Sequence, residues 1–177
     1  YAFVDADGVI KPDPNNAVKA DNPWYPNSSA IFAPNYKPDQ YANPTFKAEG
    51  RVIRLRIEST FLKQTRRMIV YTPLGYEAQA LPVIYVQDGV AYYRIAKLAE
   101  VLEQLLQEQS ISPAHLVFIE PLDRFAEYRF NPEYVLFMTQ ELVPLVDKEL
   151  QTTTKRIAMG ASLGGLVSAT LALEHPD

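Results

Sequence analysis

One short segment of the sequence combines residues suited to covalent catalysis. Gly160-Ala161-Ser162-Leu163-Gly164-Gly165 fits the G-x-S-x-G pattern of a nucleophile elbow, in which a strand turns sharply into a helix with serine at the apex. Small residues on both sides let strand and helix approach while the serine backbone is strained. The flanking residues 156–159 read as a strand and 166–173 as a helix. We therefore predict Ser162 to be a nucleophile, against the alternative of a glycine-rich turn with a structural serine.

A serine nucleophile also needs hydrogen-bond donors for the negative charge that develops on the substrate oxygen. The backbone N–H of Leu163 lies at the start of the predicted helix, where the helix dipole favours negative charge. A second donor comes from the loop after an earlier strand. Gln87-Asp88-Gly89-Val90 follows such a strand, and Gly89 permits close backbone approach, so the N–H of Val90 is the predicted second donor. Asp88 either orients this loop or is an ordinary turn residue.

Neither histidine of the sequence is placed to act as the general base. His175 comes thirteen residues after Ser162 on the same predicted helix, which puts it roughly 20 Å away at about 1.5 Å per residue. His115 opens a parallel strand and so lies at the end of the sheet opposite the elbow. In hydrolases built on this elbow the chain order is nucleophile, acid, histidine. Both ends of the sequence look cut, and we expect the acid and the histidine beyond Asp177.

Weaker candidates for substrate contact follow other predicted strands. Arg124 comes after the strand at 115–119, and ligands of open α/β sheets bind outside the carboxyl ends of strands. Arg124 is therefore either a substrate-binding residue or a solvated loop residue. Tyr92 and Tyr93, after the predicted oxyanion loop, either line the pocket or pack in the interior.

The elements that would position these residues alternate along the chain from Arg51 onwards. An antiparallel hairpin at a sheet edge is predicted at 51–58 and 66–71, followed by buried strands at 82–86 and 115–119 and a further strand at 155–159. Helices are predicted at 95–107, 131–150 and 162–174. Asn131 caps the second helix and Pro144 is expected to bend it. This order predicts an α/β fold with a mainly parallel sheet, helices on both faces and antiparallel strands at its start.

The first 48 residues have a different composition. Seven of the fourteen prolines fall between Pro12 and Pro44, mixed with asparagine and aspartate, which favours turns and extended structure over a long helix. Tyr1–Val4 is predicted to be a short strand, followed by a tight turn at 6–8. From the residues alone, 11–48 is either an interdomain linker or the closing strands of a small β-domain.

Composition excludes several classes of function. The chain has 177 residues, of which 47% are hydrophobic and 21% charged, as in an ordinary globular protein. The net charge of −4 gives no reason to expect a nucleic acid or an anionic membrane as partner. With no cysteine, a disulfide, a thiolate metal site and a cysteine nucleophile are excluded. No apolar run approaches the roughly 20 residues of a membrane span, and no metal-ligand cluster or phosphate loop indicates a cofactor.

Several motifs together resemble the enterochelin esterase-like branch of the Putative esterase family, which is related to esterase D and the antigen 85 mycolyltransferases. The resemblance runs from Arg66 to Asp177. It rests on Val70-Tyr71-Thr72-Pro73-Leu74-Gly75-Tyr76, Val83-Ile84-Tyr85-Val86-Gln87-Asp88-Gly89, the segment Arg124 to Pro144, the elbow, and Leu173-Glu174-His175-Pro176-Asp177.

This resemblance implies a carboxylic-ester hydrolase without a cofactor, with Ser162 as nucleophile, Val90 and Leu163 as oxyanion donors, and Arg124 and Asn131 near the substrate cleft. It implies a partial α/β-hydrolase domain at 46–177. The opening Tyr1-Ala2-Phe3-Val4-Asp5-Ala6-Asp7-Gly8, with Asp13-Pro14-Asn15-Asn16, is similar to the end of an immunoglobulin-like (E-set) domain. For residues 1–45 this resemblance favours a domain remnant over a linker.

The implied substrate is a siderophore trilactone, a feruloyl or acetyl ester on polysaccharide, or a small acyl ester. The sequence does not decide among these, nor does it indicate an oligomeric state. Since the acid and histidine are missing, we expect residues 1–177 alone to be inactive and to expose an apolar sheet edge. The rival interpretation is a non-catalytic binding protein that keeps the hydrolase fold and holds a carbohydrate or a peptide.

Overall fold

The computed structural model describes residues 1–20 and 22–176. They form two units, Tyr1–Asn43 and the part from Pro44 onwards. Within the described residues, no helix is long and apolar enough to cross a lipid bilayer. The candidate nucleophile lies in the second unit.

The first unit contains little regular structure. Its strands β1 (Phe3–Val4) and β2 (Ile10–Lys11) form an antiparallel hairpin. Asp5 holds the turn between them by accepting hydrogen bonds from two backbone N–H groups, and Gly8 adopts a φ of 78°. The predicted strand and turn are thus confirmed. The described residues of the proline-rich remainder form turns and an isolated antiparallel bridge between Lys19 and Ser29.

The second unit is built on a five-stranded sheet. Its strands are β3 (Arg51–Ser59), β4 (Gln64–Thr72), β5 (Leu81–Gln87), β6 (His115–Ile119) and β7 (Thr152–Met159), in the spatial order β3-β4-β6-β5-β7. The β3–β4 hairpin is antiparallel and β4 pairs antiparallel with β6, whereas β6, β5 and β7 are parallel. The predicted edge hairpin is confirmed. Strand β7 begins three residues earlier than predicted, because Thr152 pairs with Leu81 before a register shift.

Helices connect the parallel strands. They are α1 (Leu98–Gln107), α2 (Arg124–Tyr128), α3 (Pro132–Leu136), α4 (Val143–Glu149) and α5 (Leu163–Glu174), with π-helical turns at Ala91–Ile95 and Phe137–Leu142. The prediction that the first helix starts at Ile95 is wrong. Lys97 takes a left-handed conformation with φ of 49°, which separates Ile95 from α1.

The long helix that contains Pro144 is continuous but changes its hydrogen bonding. Residues 137–142 form a π-helical turn that joins α3 to α4, and the N–H of Val143 bonds the carbonyl of Met138, five residues earlier. Proline has no N–H to donate and crowds the preceding turn. A wider turn immediately before Pro144 accommodates both effects, at the place where the sequence predicts a bend.

Alternate residues of the sheet enter two separate apolar cores. In β6, Val117 and Ile119 belong to the core formed with α3, α4 and α5, whereas Leu116 and Phe118 belong to the core formed with α1. All four side chains are at most 2% exposed. The sheet is therefore covered on both faces, and the predicted mixed α/β architecture is confirmed.

His115 lies at the start of β6, at the edge of the sheet where the parallel strands begin. Its Nδ1 is 2.8 Å from Thr72 Oγ1 and its Nε2 is 3.1 Å from the Gln151 carbonyl oxygen. The residue is 2% exposed, and burial lowers the pKa of the imidazole from its ordinary value of 6.5. His115 is thus a buried structural residue remote from the elbow that follows β7.

We expect His115 to make the folded state less stable in acid. The unfolded chain takes up a proton near pH 6.5, whereas the native imidazole resists it, so stability falls as the pH drops below about 6.5. Urea unfolding midpoints of the wild type and His115→Gln between about pH 5 and 7.5 test this, with exposed His175→Gln as control. The dependence of the unfolding midpoint on pH should become weaker only in His115→Gln. Equal pH dependence in all three proteins would contradict the assigned role of His115.

Candidate active site

The backbone at Ser162 has the strained geometry of a nucleophile elbow. Ser162 lies between β7 and α5 with φ of 54° and ψ of −120°, a conformation that costs a non-glycine residue about 1–3 kcal/mol. Its side chain is exposed. A Cβ on Gly160 would lie 2.5 Å from the backbone of Gly164, and one on Gly164 would lie 2.9 Å from Asp88 Oδ2. The two glycines therefore permit the close approach of strand, helix and neighbouring loop.

The N–H of Leu163 has no hydrogen-bond acceptor in the part of the chain that the structure describes. Leu163 is the first residue of the twelve-residue helix α5, whose first turn leaves N–H groups without partners inside the helix. The next groups bond locally, since Gly164 N–H donates to the Ala161 carbonyl and Leu166 N–H to the Ser162 carbonyl. Among the described residues, no group accepts from the Leu163 N–H or bonds the Ser162 hydroxyl. The candidate nucleophile and the candidate donor thus lie side by side at the start of a helix.

The loop after β5 is held tightly against β6. Asp88 has a positive φ of 56°, and a Cβ on Gly89 would lie 2.6 Å from the backbone nitrogen of Ile119. The Asp88 N–H donates to the Tyr128 hydroxyl oxygen at 2.9 Å. The N–H of Val90, the predicted second oxyanion donor, already donates to Glu120 Oε2 at 2.8 Å.

Arg124 connects this loop to the elbow. Its Nε and Nη2 donate to the two carboxylate oxygens of Asp88 at 2.8 and 3.0 Å, and Nη2 also donates to the Ala161 carbonyl at 3.1 Å. Asp88 is 3% exposed at its side chain and Arg124 22%. Arg124 is therefore a partly buried residue of α2 that bridges the loops after β5 and β7. Asp88 orients its loop through this pair.

A second ion pair holds α2 itself. Glu127 pairs with Arg66 through two hydrogen bonds of 2.9 and 2.7 Å, and both side chains are at most 6% exposed. Glu127 also accepts from the N–H groups of Leu122 and Asp123 at the start of α2. The helix that carries Arg124 is thereby fixed to β4. Sequence reasoning missed this pair, because nothing local marks Arg66 as the partner of a residue 61 positions later.

Two tyrosines complete the layer beneath the loop. Tyr128 accepts from Asp88 N–H, and Tyr134 donates to Gln87 Oε1 at 2.6 Å. Burial raises the pKa of both phenols above the ordinary value of 10, so both stay protonated. Neither residue carried a sequence signal beyond its aromatic character.

The remaining predicted residues are occupied within the protein. Asn131 caps α3, as predicted, with its side-chain oxygen accepting from Glu133 N–H and its amide donating to the Ala126 carbonyl. Tyr93 packs edge-on against Phe118 at 5.1 Å between ring centroids, and Tyr92 packs against the same core.

No base stands beside Ser162 in the described part of the chain. His175 directly follows the C-terminal end of α5, and His115 lies at the opposite edge of the sheet. No group of three or more acidic or histidine side chains in that part could hold a metal ion. The described residues thus include a candidate nucleophile and two candidate oxyanion donors, of which the Val90 N–H is bound to Glu120, but no base beside Ser162.

The sheet and the strand-to-helix turn define a mixed α/β protein whose fold is similar to that of ester hydrolases. A family model described as "Putative esterase" matches residues 59–177, and the chain belongs to this family. The similarity to an enterobactin esterase supports the enterochelin esterase-like branch.

Three comparisons define the relationship. YjcH of Bacillus subtilis (strain 168), an uncharacterized protein, is 31% identical over 140 residues, which cover 72% of this chain and 58% of YjcH. The enterobactin esterase FES from Shigella flexneri, in a crystal structure with enterobactin, matches with a TM-score of 0.78 at 26% identity, over 94% of this chain and 45% of FES. The CE1 ferulic acid esterase AmCE1/Fae1A from Anaeromyces mucronatus shares the fold, with a TM-score of 0.67 at 18% identity over 80% of this chain and 60% of that protein. The chain spans about half the length of the curated relatives it matches.

We expect Arg124→Met to destabilise the protein by about 3 kcal/mol, because it leaves the buried Asp88 carboxylate without its partner. Chemical unfolding midpoints measure this change. Arg56→Met is the matched control, since its partner Glu58 is exposed and a surface pair contributes little. The double variant Asp88→Asn/Arg124→Met should recover part of the loss, and an additive or larger loss would contradict the role of this ion pair.

Proposed function

We propose that the full-length protein, meaning this chain together with whatever its gene encodes on either side, is a carboxylic-ester hydrolase with Ser162 as nucleophile. The observation that carries the proposal is the strained backbone of Ser162 beside the N–H of Leu163, which has no acceptor within residues 1–20 and 22–176. Strain of this kind persists where the surrounding structure enforces it, and it is concentrated at functional sites. Membership in an esterase family supports the same reaction.

In the proposed mechanism, Ser162 Oγ attacks the ester carbonyl carbon while a histidine takes the hydroxyl proton. The carbonyl oxygen becomes an oxyanion held by the N–H groups of Leu163 and Val90, with the α5 dipole adding to its stabilisation. Collapse of the tetrahedral intermediate expels the alcohol, which receives the proton from the histidine. Water then hydrolyses the acyl-Ser162 ester by the same route in reverse.

The base and its acid partner are proposed to lie outside residues 1–177. Neither histidine within this range is near Ser162, and the chain spans 52% and 58% of its two curated relatives. The same reasoning implies that residues 1–177 alone do not hydrolyse esters. For residues 1–45 we propose the closing part of an E-set-like β-domain, supported by the β1–β2 hairpin and by the match to FES over 94% of this chain.

Arg124 and Asn131 are proposed to border the substrate cleft. Arg124 keeps 22% of its side chain exposed while bound to Asp88 and to the carbonyl of Ala161, so this side chain reaches the surface near the elbow. Asn131 uses its oxygen and its amide within the protein, so it would shape the cleft rather than bond substrate.

The proposed substrate is a small or polysaccharide-linked carboxylic ester. A siderophore ester is the first to test, because FES is an enterobactin esterase and matches at 26% identity with a TM-score of 0.78. A feruloyl ester is the second, since the fold is shared with a ferulic acid esterase. A small activated acyl ester tests for ester hydrolysis without requiring recognition of a siderophore or of a feruloyl group.

Ser162→Ala should abolish hydrolysis in the full-length protein. Alanine keeps a Cβ, so it retains the backbone strain and removes only the hydroxyl. We expect kcat to fall by more than about 10³-fold, as for other serine nucleophiles. The assay is p-nitrophenyl acetate hydrolysis with rapid mixing, in which the wild type should release one burst equivalent of p-nitrophenol per Ser162.

Ser110→Ala, in an exposed loop, is the control and should behave as the wild type. Undiminished hydrolysis by Ser162→Ala would refute the nucleophile. A wild type that binds an oligosaccharide or a peptide but shows no burst would favour the non-catalytic binding protein instead.

A further inference from the structure

The oxyanion donor of the loop after β5 already has a carboxylate bound to it. Glu120 Oε2 accepts the Val90 N–H at 2.8 Å, and Glu120 is the residue that directly follows β6. The proposed mechanism gives this same N–H to the oxygen of the ester. A backbone N–H cannot donate a full hydrogen bond to two oxygens at once, so the two acceptors exclude each other.

The position of this carboxylate is enforced by the backbone on both sides. Gly89 lies so close to Ile119 that a Cβ would be 2.6 Å from its nitrogen, which fixes the distance between the two loops. The Glu120 carbonyl accepts from Arg66 Nη2 at 3.0 Å, and Arg66 is anchored by Glu127. The Glu120 side chain therefore starts from a fixed point beside Val90, and although its carboxylate is partly buried there, the residue as a whole is exposed.

A cavity beside Glu120 could receive its carboxylate when the carboxylate leaves the Val90 N–H. A cavity of about 350 Å³ is lined by Thr65, Arg66, Arg67, Glu120 and Leu122. Arg66 already binds Glu127, but Arg67 is exposed and makes no ion pair among the described residues. A carboxylate that leaves Val90 can thus remain in the cavity that Arg67 also lines.

We propose that Glu120 is an internal competitor for the oxyanion donor, and that an ester carbonyl must displace its carboxylate from Val90 N–H into the cavity beside Arg67. This inference rests on the proposed function, since it concerns the same donor. It assigns Glu120 a regulatory role, because in the substrate-free site the Glu120 carboxylate occupies the Val90 N–H. The charge makes Glu120 a stronger acceptor than a neutral ester oxygen, whereas the developing oxyanion competes on equal terms.

The charges around Glu120 make its occupancy depend on pH. Burial is the main cause that raises the pKa of its carboxyl above 4.5; the Val90 hydrogen bond and Arg66 lower it, and Asp88 and Glu127 raise it. Arg124 offsets Asp88, and Arg67 faces the same cavity. Protonation of the Glu120 carboxyl weakens its hydrogen bond with the Val90 N–H. Glu120 therefore competes most strongly with the ester oxygen when it is ionised.

The experiment combines kinetics and NMR on the full-length protein. We expect Glu120→Gln, which keeps the shape but loses the charge, to raise kcat/KM for p-nitrophenyl acetate about fivefold to tenfold at a pH where the wild-type Glu120 is ionised, mainly through KM. Glu120→Ala should raise it at least as much. Exposed Glu49→Gln is the control and should leave it unchanged. The single variant Arg67→Gln should have a lower kcat/KM than the wild type, because the displaced carboxylate loses its guanidinium partner. Adding Arg67→Gln to Glu120→Gln should leave kcat/KM unchanged.

The amide resonance of Val90 reports the contact independently of hydrolysis. In the wild type it should titrate with the Glu120 carboxyl, and in Glu120→Gln this titration should vanish. A Val90 titration that persists in Glu120→Gln overturns the proposal, as does a kcat/KM that is unchanged or lower in both Glu120 variants. The proposed function has a separate test. It is refuted if the wild-type protein shows no ester hydrolysis that is lost in Ser162→Ala.

Discussion

The geometry of the candidate site depends on the ion pair between Asp88 and Arg124. Asp88 belongs to the loop after β5 and Arg124 to the helix after β6, and the same guanidinium reaches the carbonyl of Ala161, the residue before Ser162. Since the pair is largely shielded from water, neither charge is tolerated without the other. Three loops that each carry a proposed participant are thereby held in one arrangement. The Arg66–Glu127 pair fixes the base of this assembly to β4.

The parts of this arrangement that could be predicted from the sequence are local. The elbow is a contiguous pattern, because the close approach of strand and helix requires glycine within a few residues of Ser162. The buried strands and α5 were recognisable from their apolar runs, and Asn131 from its position before a proline. Each of these features is decided by neighbouring residues, so the sequence carries enough information to identify it.

The parts that could not be predicted depend on contacts between distant residues. Arg124 follows a strand, but its partner is 36 residues earlier, and only the insertion of β6 beside β5 brings the two loops together. The occupation of Val90 N–H by Glu120 has the same origin. Ile95 has helical spacing but lies outside α1, because the left-handed backbone at Lys97 overrides the apolar pattern. Strand order and backbone conformation at single residues are not encoded in periodicity.

The strand order also constrains how the second unit folds. Strand β6 lies between β4 and β5, although both precede it in the chain. Strands β3 and β4 can pair as soon as they are made, but β5 cannot join their sheet until α1 and β6 have followed. Completing the sheet therefore waits for contacts of long sequence separation, which form slowly. During synthesis on the ribosome, β4 would keep an unpaired edge until β6 emerges, and that interval is when the nascent chain is most open to non-native strand pairing.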